Sequence, residues 1–241
     1  MKTKEILNNQ KTINRTQMKT INKIIISLVF LLTLKAGIVN AQDINWNEVE
    51  NGKKHFVTLS LGEDNCSYYG LTYGYNIGNT KLPLIVDAEF SVPFGEDVFD
   101  DWNSRIGLQT KIWSHNNLWW SAKASVITRK FESEVASLLN FGSSLSTLFG
   151  YQKSKWGIAA EFTYDRSEIT KIKNGITKDY YPEITDGWYN TAGGNFKLGL
   201  QANASIKSTN LYLRFGKTYG QDFEDNPTVP FYAKVGISKS F

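Results

Sequence analysis

The sequence predicts an all-β protein, a transmembrane antiparallel up-and-down β-barrel of about ten strands, and three observations carry that expectation. Apolar and polar residues alternate in segment after segment. The connections between segments sort by length. The chain stops on FYAKVGISKSF, an alternating run with no polar tail beyond Phe241.

Period two places successive side chains on opposite faces of a strand. A first strand is predicted near Phe56–Leu61. From Tyr69, the residues Tyr69, Leu71, Tyr73, Tyr75 and Ile77 oppose Gly70, Thr72, Gly74 and Asn76. Leu84, Val86, Ala88, Phe90 and Val92 oppose Ile85, Asp87, Glu89 and Ser91; then Ile106, Leu108, Thr110 and Ile112 oppose Arg105, Gly107, Gln109 and Lys111. Trp120, Ala122, Ala124 and Val126 follow, against Ser121, Lys123 and Ser125. A weaker segment covers Leu145–Tyr151. Trp156 to Tyr164 alternates against Gly157, Ala159, Glu161, Thr163 and Asp165, Phe196 to Ala202 against Lys197, Gly199 and Gln201, and Leu211 to Phe215 against Tyr212, Arg214 and Gly216. The C-terminal run makes ten; eight or twelve are the neighbouring counts if the weak segments near Phe56 or Leu145 are misread. An even count returns the C-terminus to the side on which the chain began.

From the second connection onward, short and long alternate: 78–81, 114–117, 152–155 and 203–208 are short, whereas 94–103, 130–140, 166–193 and 217–230 are longer. Long outer loops against short periplasmic turns is the asymmetry of an outer-membrane barrel. A soluble antiparallel sheet has no reason to sort its loops this way. Aromatic residues near predicted strand ends, Tyr75, Trp113, Trp119, Trp120, Tyr151, Trp156 and Tyr164, fit girdles at the two interfaces.

The N-terminus reads as an export leader. Lys19 and Lys23 precede the apolar run Ile24–Leu34, and Val39-Asn40-Ala41 supplies a small-residue cleavage pattern before Gln42. That run is shorter than the roughly 20 residues of a spanning helix. Residues 1–17 are polar and precede a second Met, which makes Met18 the expected start. The predicted organisation is a leader over 1–41, a short periplasmic segment over 42–53 and a barrel over 54–241. The leader holds seven of the 27 Lys/Arg and one of the 23 acids, so the remainder has 20 bases against 22 acids, and the net charge of +4 belongs to the leader. Nothing in this balance asks for a nucleic-acid partner. Cys66 is the only cysteine, which excludes an internal disulfide.

The C-terminal strand, with Lys234, Gly236 and the terminal Phe241, resembles the insertion signal of bacterial outer-membrane β-barrels; Lys239 departs from it, where an apolar residue is usual. The chain as a whole resembles small Gram-negative outer-membrane barrels of the porin-like or OmpA/OmpX-like type. That resemblance implies an outer-membrane location, recognition by the barrel-assembly machinery, contact with outer-membrane lipid and lipopolysaccharide, and a monomer.

Function is expected in the lumen or the outer loops. The predicted inward charges are Asp87, Glu89, Glu161 and Asp165 with Arg105, Lys111, Lys123, Lys197, Arg214 and Lys234. They form either a narrow, slightly positive pore or a salt-bridged plug; Asp87 and Glu89 adjoin the strand of Arg105 and Lys111, which makes cross-strand pairing plausible. A small porin-like channel or surface-binding barrel is the leading expectation, with a sealed structural or adhesive barrel acting through its loops as the alternative and a soluble periplasmic binder third. Tyr180, Tyr181, Trp188 and Tyr189 are candidate contacts in the longest predicted loop. The acidic clusters Glu96, Asp97, Asp100, Asp101 and Asp222, Glu224, Asp225 lack the spacing of a calcium loop, so no metal or cofactor is expected. His55 and His115 are the only histidines and fall at the periplasmic end, and no catalytic set is assigned.

Overall fold

A computed structural model describes residues 44–241 apart from 65, 80–81, 96–98, 224–226 and 228, with the backbone alone at 191–192. The predicted leader, Gln42 and the loop acids Glu96, Asp97, Glu224 and Asp225 lie outside the described residues. Ten strands, β1 His55–Asp64, β2 Cys66–Asn76, β3 Leu84–Pro93, β4 Trp102–His115, β5 Leu118–Glu132, β6 Ala136–Gln152, β7 Trp156–Asn174, β8 Gly187–Ile206, β9 Thr209–Gly220 and β10 Phe231–Ser240, form one closed antiparallel barrel. A short helix, α1 Trp46–Glu50, precedes β1, and α2 Thr177–Tyr180 lies between β7 and β8.

Each strand pairs with its sequence neighbours, and β1 with β10 closes the ring from Phe56↔Ser240 to Glu63↔Ala233. The terminal residue completes this seam. The Phe241 N–H donates to the His55 carbonyl at 3.0 Å, and its own carbonyl accepts from the His55 N–H at 3.0 Å. Its ring stacks on His55, centroids 5.4 Å apart. An aromatic at the very end is therefore a strand-pairing partner and an interface anchor together.

The outer face is apolar and uncovered. Ile106, Val126 and Leu145 are 61%, 64% and 60% exposed in mid-strand, too large and continuous a patch for a monomer in water. Aromatic groups bracket it, with His55, Tyr75, Phe241, Trp113, Tyr151 and Trp156 at the end bearing the termini. Tyr69, Phe94, Phe90, Trp102, Tyr164, Phe196 and Phe223 stand at the other. Trp119 does not belong to the girdle. It is 3% exposed and points inward, as its parity opposite Trp120 requires.

The connections correct the sequence reading more than the strands do. β7 runs on to Asn174 and β8 begins at Gly187, so most of the span 166–193 is paired strand. The link between β5 and β6 shrinks to 133–135 for the same reason. Their apolar residues, among them Phe131, Leu138, Leu139, Ile169, Ile172 and Trp188, do not recur at a strict period of two, so alternation gives no clear signal there. The seven-residue stretch 77–83 is also longer than its outer counterparts at 65 and 133–135, which limits the length sorting. Between β4 and β5, Asn116 and Asn117 have φ of 47° and 70°, the left-handed pair of a two-residue type I′ hairpin, which asparagine tolerates.

Replacing Val126 with Arg should cost about 2–4 kcal/mol of folding free energy in phospholipid vesicles, the penalty for a cation on a lipid face at mid-depth. An equilibrium folding titration checks it; a change within about 0.5 kcal/mol, as for a water-exposed site, would refute the membrane reading of this face.

Candidate functional site

The interior has three levels. Nearest the termini, Ile44, Trp46 and Val49 from the N-terminal segment pack against Phe56, Ile85, Trp119, Leu148 and Ala159 from the barrel wall. Asn45 caps α1 by accepting from the Asn47 N–H at 3.0 Å. The segment is tied to the wall by Asn45 Nδ2 donating to Ser205 Oγ at 2.7 Å, by Asn47 Nδ2 donating to the Lys153 carbonyl at 2.9 Å, and by Ser240 Oγ donating to Glu48 at 3.1 Å. Lys111 pairs with Glu50 of this segment, so the expected partnership with Asp87 or Glu89 does not form. Lys111 sits too far toward the termini to reach either acid.

The middle level is a lattice of ion pairs. Lys123 Nζ lies 2.5 Å from Asp87, crossing β4 at Gly107, where a Cβ would come within 2.5 Å of Lys123 Cε. Arg214 grips Glu161, which also accepts from Gln201 Nε2 at 2.8 Å and Thr163 Oγ1 at 2.9 Å. Lys234 reaches Glu89 at 3.0 Å. Tyr232 lies flat over Gly199 and Gly216; a Cβ at Gly199 would sit 2.2 Å from its hydroxyl and 2.4 Å from the Phe215 carbonyl. Gly236 leaves the same kind of room for the Tyr212 ring. Small backbone positions thus let long inward side chains cross a narrow lumen.

Above the lattice a cavity of about 890 Å³ reaches the rim. Asp64, Glu89, Arg105, Arg129, Asp165, Lys197, Arg214 and Lys234 line it, together with Tyr68 and Tyr232. Lys197 pairs with Asp64 at 2.5 Å, and Arg129 and Arg105 approach Asp165 at 2.5 and 3.8 Å. The ten charges named from the sequence all face inward. Asp64 and Arg129 were missed, because each stands at a strand end that the alternation had not reached.

Of the candidate loop contacts, only Tyr180 and Tyr181 stand in the 175–186 link, 77% and 56% exposed. Trp188 and Tyr189 belong to β8. Trp188 faces Phe141 and carries Lys171 over its ring at 5.7 Å, while the Tyr189 hydroxyl donates to the Thr185 carbonyl at 2.6 Å. His115 ends β4 and His55 begins β1, both at the end of the termini.

A closed antiparallel sheet with an apolar outer face, aromatic belts and a charged interior defines a small outer-membrane-type β-barrel. No protein-family model matches the chain, and no curated protein is recognisably similar to it in sequence. Solved structures are similar to it at low identity. A protein from a study of in-meso crystallization of membrane proteins shares 7% identity over 78% of this chain and 84% of that one, with a TM-score of 0.39. The β-domain of the Bordetella autotransporter BrkA shares 10% over 78% and 98%, at 0.36, and outer membrane phospholipase A from Escherichia coli 11% over 78% and 92%, at 0.33. The class rests on the sheet and its two faces.

Two outcomes follow from these contacts. Glu161→Ala should destabilise the barrel by about 3–5 kcal/mol in urea titrations, because it removes the buried carboxylate that Arg214, Gln201 and Thr163 all bond. Glu168→Ala, which breaks an exposed pair with Arg166, should change it by about 1 kcal/mol or less. In the 175–186 link, the hydrogen bond from Lys178, then that from the Asn174 N–H, hold the Asp186 carboxyl down at about 2. A depressed carboxyl stabilises above its unfolded value and loses that contribution as pH falls through the folded one. The Asn174 amide resonance should therefore hold steady from neutral pH to about 4 and shift below that with a midpoint near 2, and in Asp186→Asn the same transition should be gone.

Proposed function

We propose that this protein is an outer-membrane barrel that binds a small polar solute in a vestibule opening to the cell exterior, and that its resting state is closed toward the periplasm. The observation that carries the proposal is the change of character along the lumen: a charged cavity of about 890 Å³ above, an apolar floor built on Trp46 below. Between them lies a space of about 20 Å³ bordered by Ile44, Phe56, Asp87, Lys123 and Tyr212, room for about one water. An ion crossing would have to break a pair such as Asp87–Lys123 and then shed its water against Trp46, Phe56 and Trp119. Both steps are costly. Of the two pore readings, the paired interior therefore favours a binding barrel over a constantly open porin.

In this reading the termini lie in the periplasm, the lipid and lipopolysaccharide of the outer membrane surround the apolar belt, the barrel-assembly machinery inserts the chain, and it works as a monomer by binding, with no catalytic step. The exposed Tyr180 and Tyr181 extend the outward surface available for contact.

Refolded protein in a planar bilayer should pass no steady current while showing the heat-modifiable mobility of a folded barrel. A steady ohmic current from the unmodified chain would overturn the proposal in favour of a porin. Cell fractionation should place the protein with the outer membrane.

A further inference from the structure

We propose that the vestibule holds a carboxylate-binding subsite formed by Arg105 and Arg129, and that its ligand is a small organic acid with a hydrogen-bond donor beside the carboxylate, such as an α-hydroxy or α-amino acid. This rests on the vestibule being a binding site.

The two arginines stand on adjacent strands and on the same inward face. Arg129 of β5 is directly opposite Asn103 of β4, and Arg105 is opposite Ile127, so the guanidinium groups are diagonal cross-strand neighbours. Diagonal neighbours are within reach of one another for long side chains, and like charges there repel. They share a single acid. Asp165 receives Arg129 Nη2 at 2.5 Å, and Arg105 Nη2 stops at 3.8 Å, beyond hydrogen-bond distance. Glu89, opposite Arg105 in the β3–β4 register, gives its carboxylate to Lys234 at 3.0 Å.

The surrounding charges sharpen this. Lys111, Lys123, Lys197, Arg214 and Lys234 pair with Glu50, Asp87, Asp64, Glu161 and Glu89, one acid to each base. Arg105 and Arg129 have Asp165 between them. Within these ion pairs seven bases meet six acids, and Arg105 and Arg129 are the two that share one.

Two buried atoms without hydrogen-bond partners mark the spot. One is Arg105 Nε, a donor, and the other is Asn103 Oδ1, an acceptor two residues along on the same inward face. Both residues line the cavity. Buried polar groups left unpaired are costly, and a guanidinium edge matches a carboxylate in two parallel bonds. Both atoms are shielded from solvent, so a ligand carboxylate takes up the first as the Arg105 side chain turns toward the cavity, and an adjacent hydroxyl or ammonium group takes up the second as Asn103 does the same. Glu63 and Asp101 at the rim oppose multiply charged anions, which leaves monoanions and zwitterions.

Calorimetry on the folded barrel with L-lactate, L-alanine, acetate and the neutral lactamide tests this. Lactate or alanine should bind more tightly than acetate, and lactamide should not bind measurably. Arg105→Gln and Arg129→Gln should each weaken lactate or alanine by about tenfold or more, the loss of a charged hydrogen bond. Asp165→Asn should act in the opposite direction and tighten binding severalfold, a gain that misfolding does not produce; it also decides the question if the arginine variants fail to fold. Lys178→Gln, which removes a base paired with Asp186 in the 175–186 link and outside the cavity lining, should bind as the unmodified protein does. If lactamide binds as well as lactate, or Asp165→Asn leaves affinity unchanged or lower, the subsite is overturned while the vestibule reading stands. If no solute of any charge binds, both fall.

Discussion

Inside a bilayer no water is available to satisfy a backbone N–H or C=O, and the rest of this molecule depends on that constraint. It forces the sheet to close, and closure here comes down to the pairing of β1 with β10 at the two extremities of the barrel sequence. Phe241 and His55 exchange the last backbone hydrogen bonds of that seam.

Closing ten strands fixes the interior as a narrow space, and the same low dielectric that demands closure makes any unpaired charge within it expensive. The interior answers with pairs that ignore nearest-neighbour geometry. Lys123 passes over β4 to reach Asp87, and Lys234 crosses from β10 to Glu89 on β3. Such long reaches need backbone positions without side chains beneath them, which accounts for Gly107 on the charged face. Polar pairing above and an apolar stopper below then divide one lumen into two solvents.

Strand number, strand order and the inward set from Asp87 to Lys234 were legible in the sequence because lipid imposes alternation on every strand that touches it. The pairing of those charges was not, since which acid meets which base depends on the stagger of the closed sheet. Lys111 illustrates this: sequence proximity suggested Asp87 or Glu89, whereas the carboxylate within reach belongs to Glu50. The role of residues 44–51 was hidden for a related reason. A short segment with Ile44, Trp46 and Val49 has no period of its own to announce that it will fold back into a barrel. The extensions of β7 and β8 escaped because Ile169, Ile172, Trp188 and Tyr189 are spaced irregularly and mark no continuous apolar face.

Those extensions shape the end of the barrel away from the termini. β7 and β8 are 19 and 20 residues long against 10 for β1 and β10, while a tilted strand crosses a bilayer in about 9–11. Beyond the Asn195↔Gly220 pair, β8 has no described strand on its β9 side. The molecule is thus a ring where lipid surrounds it and an open sheet with a free margin where water does. Its rim is therefore uneven, with a wall of hydrogen-bonded backbone standing on the β7–β8 side above the shorter β1 and β10.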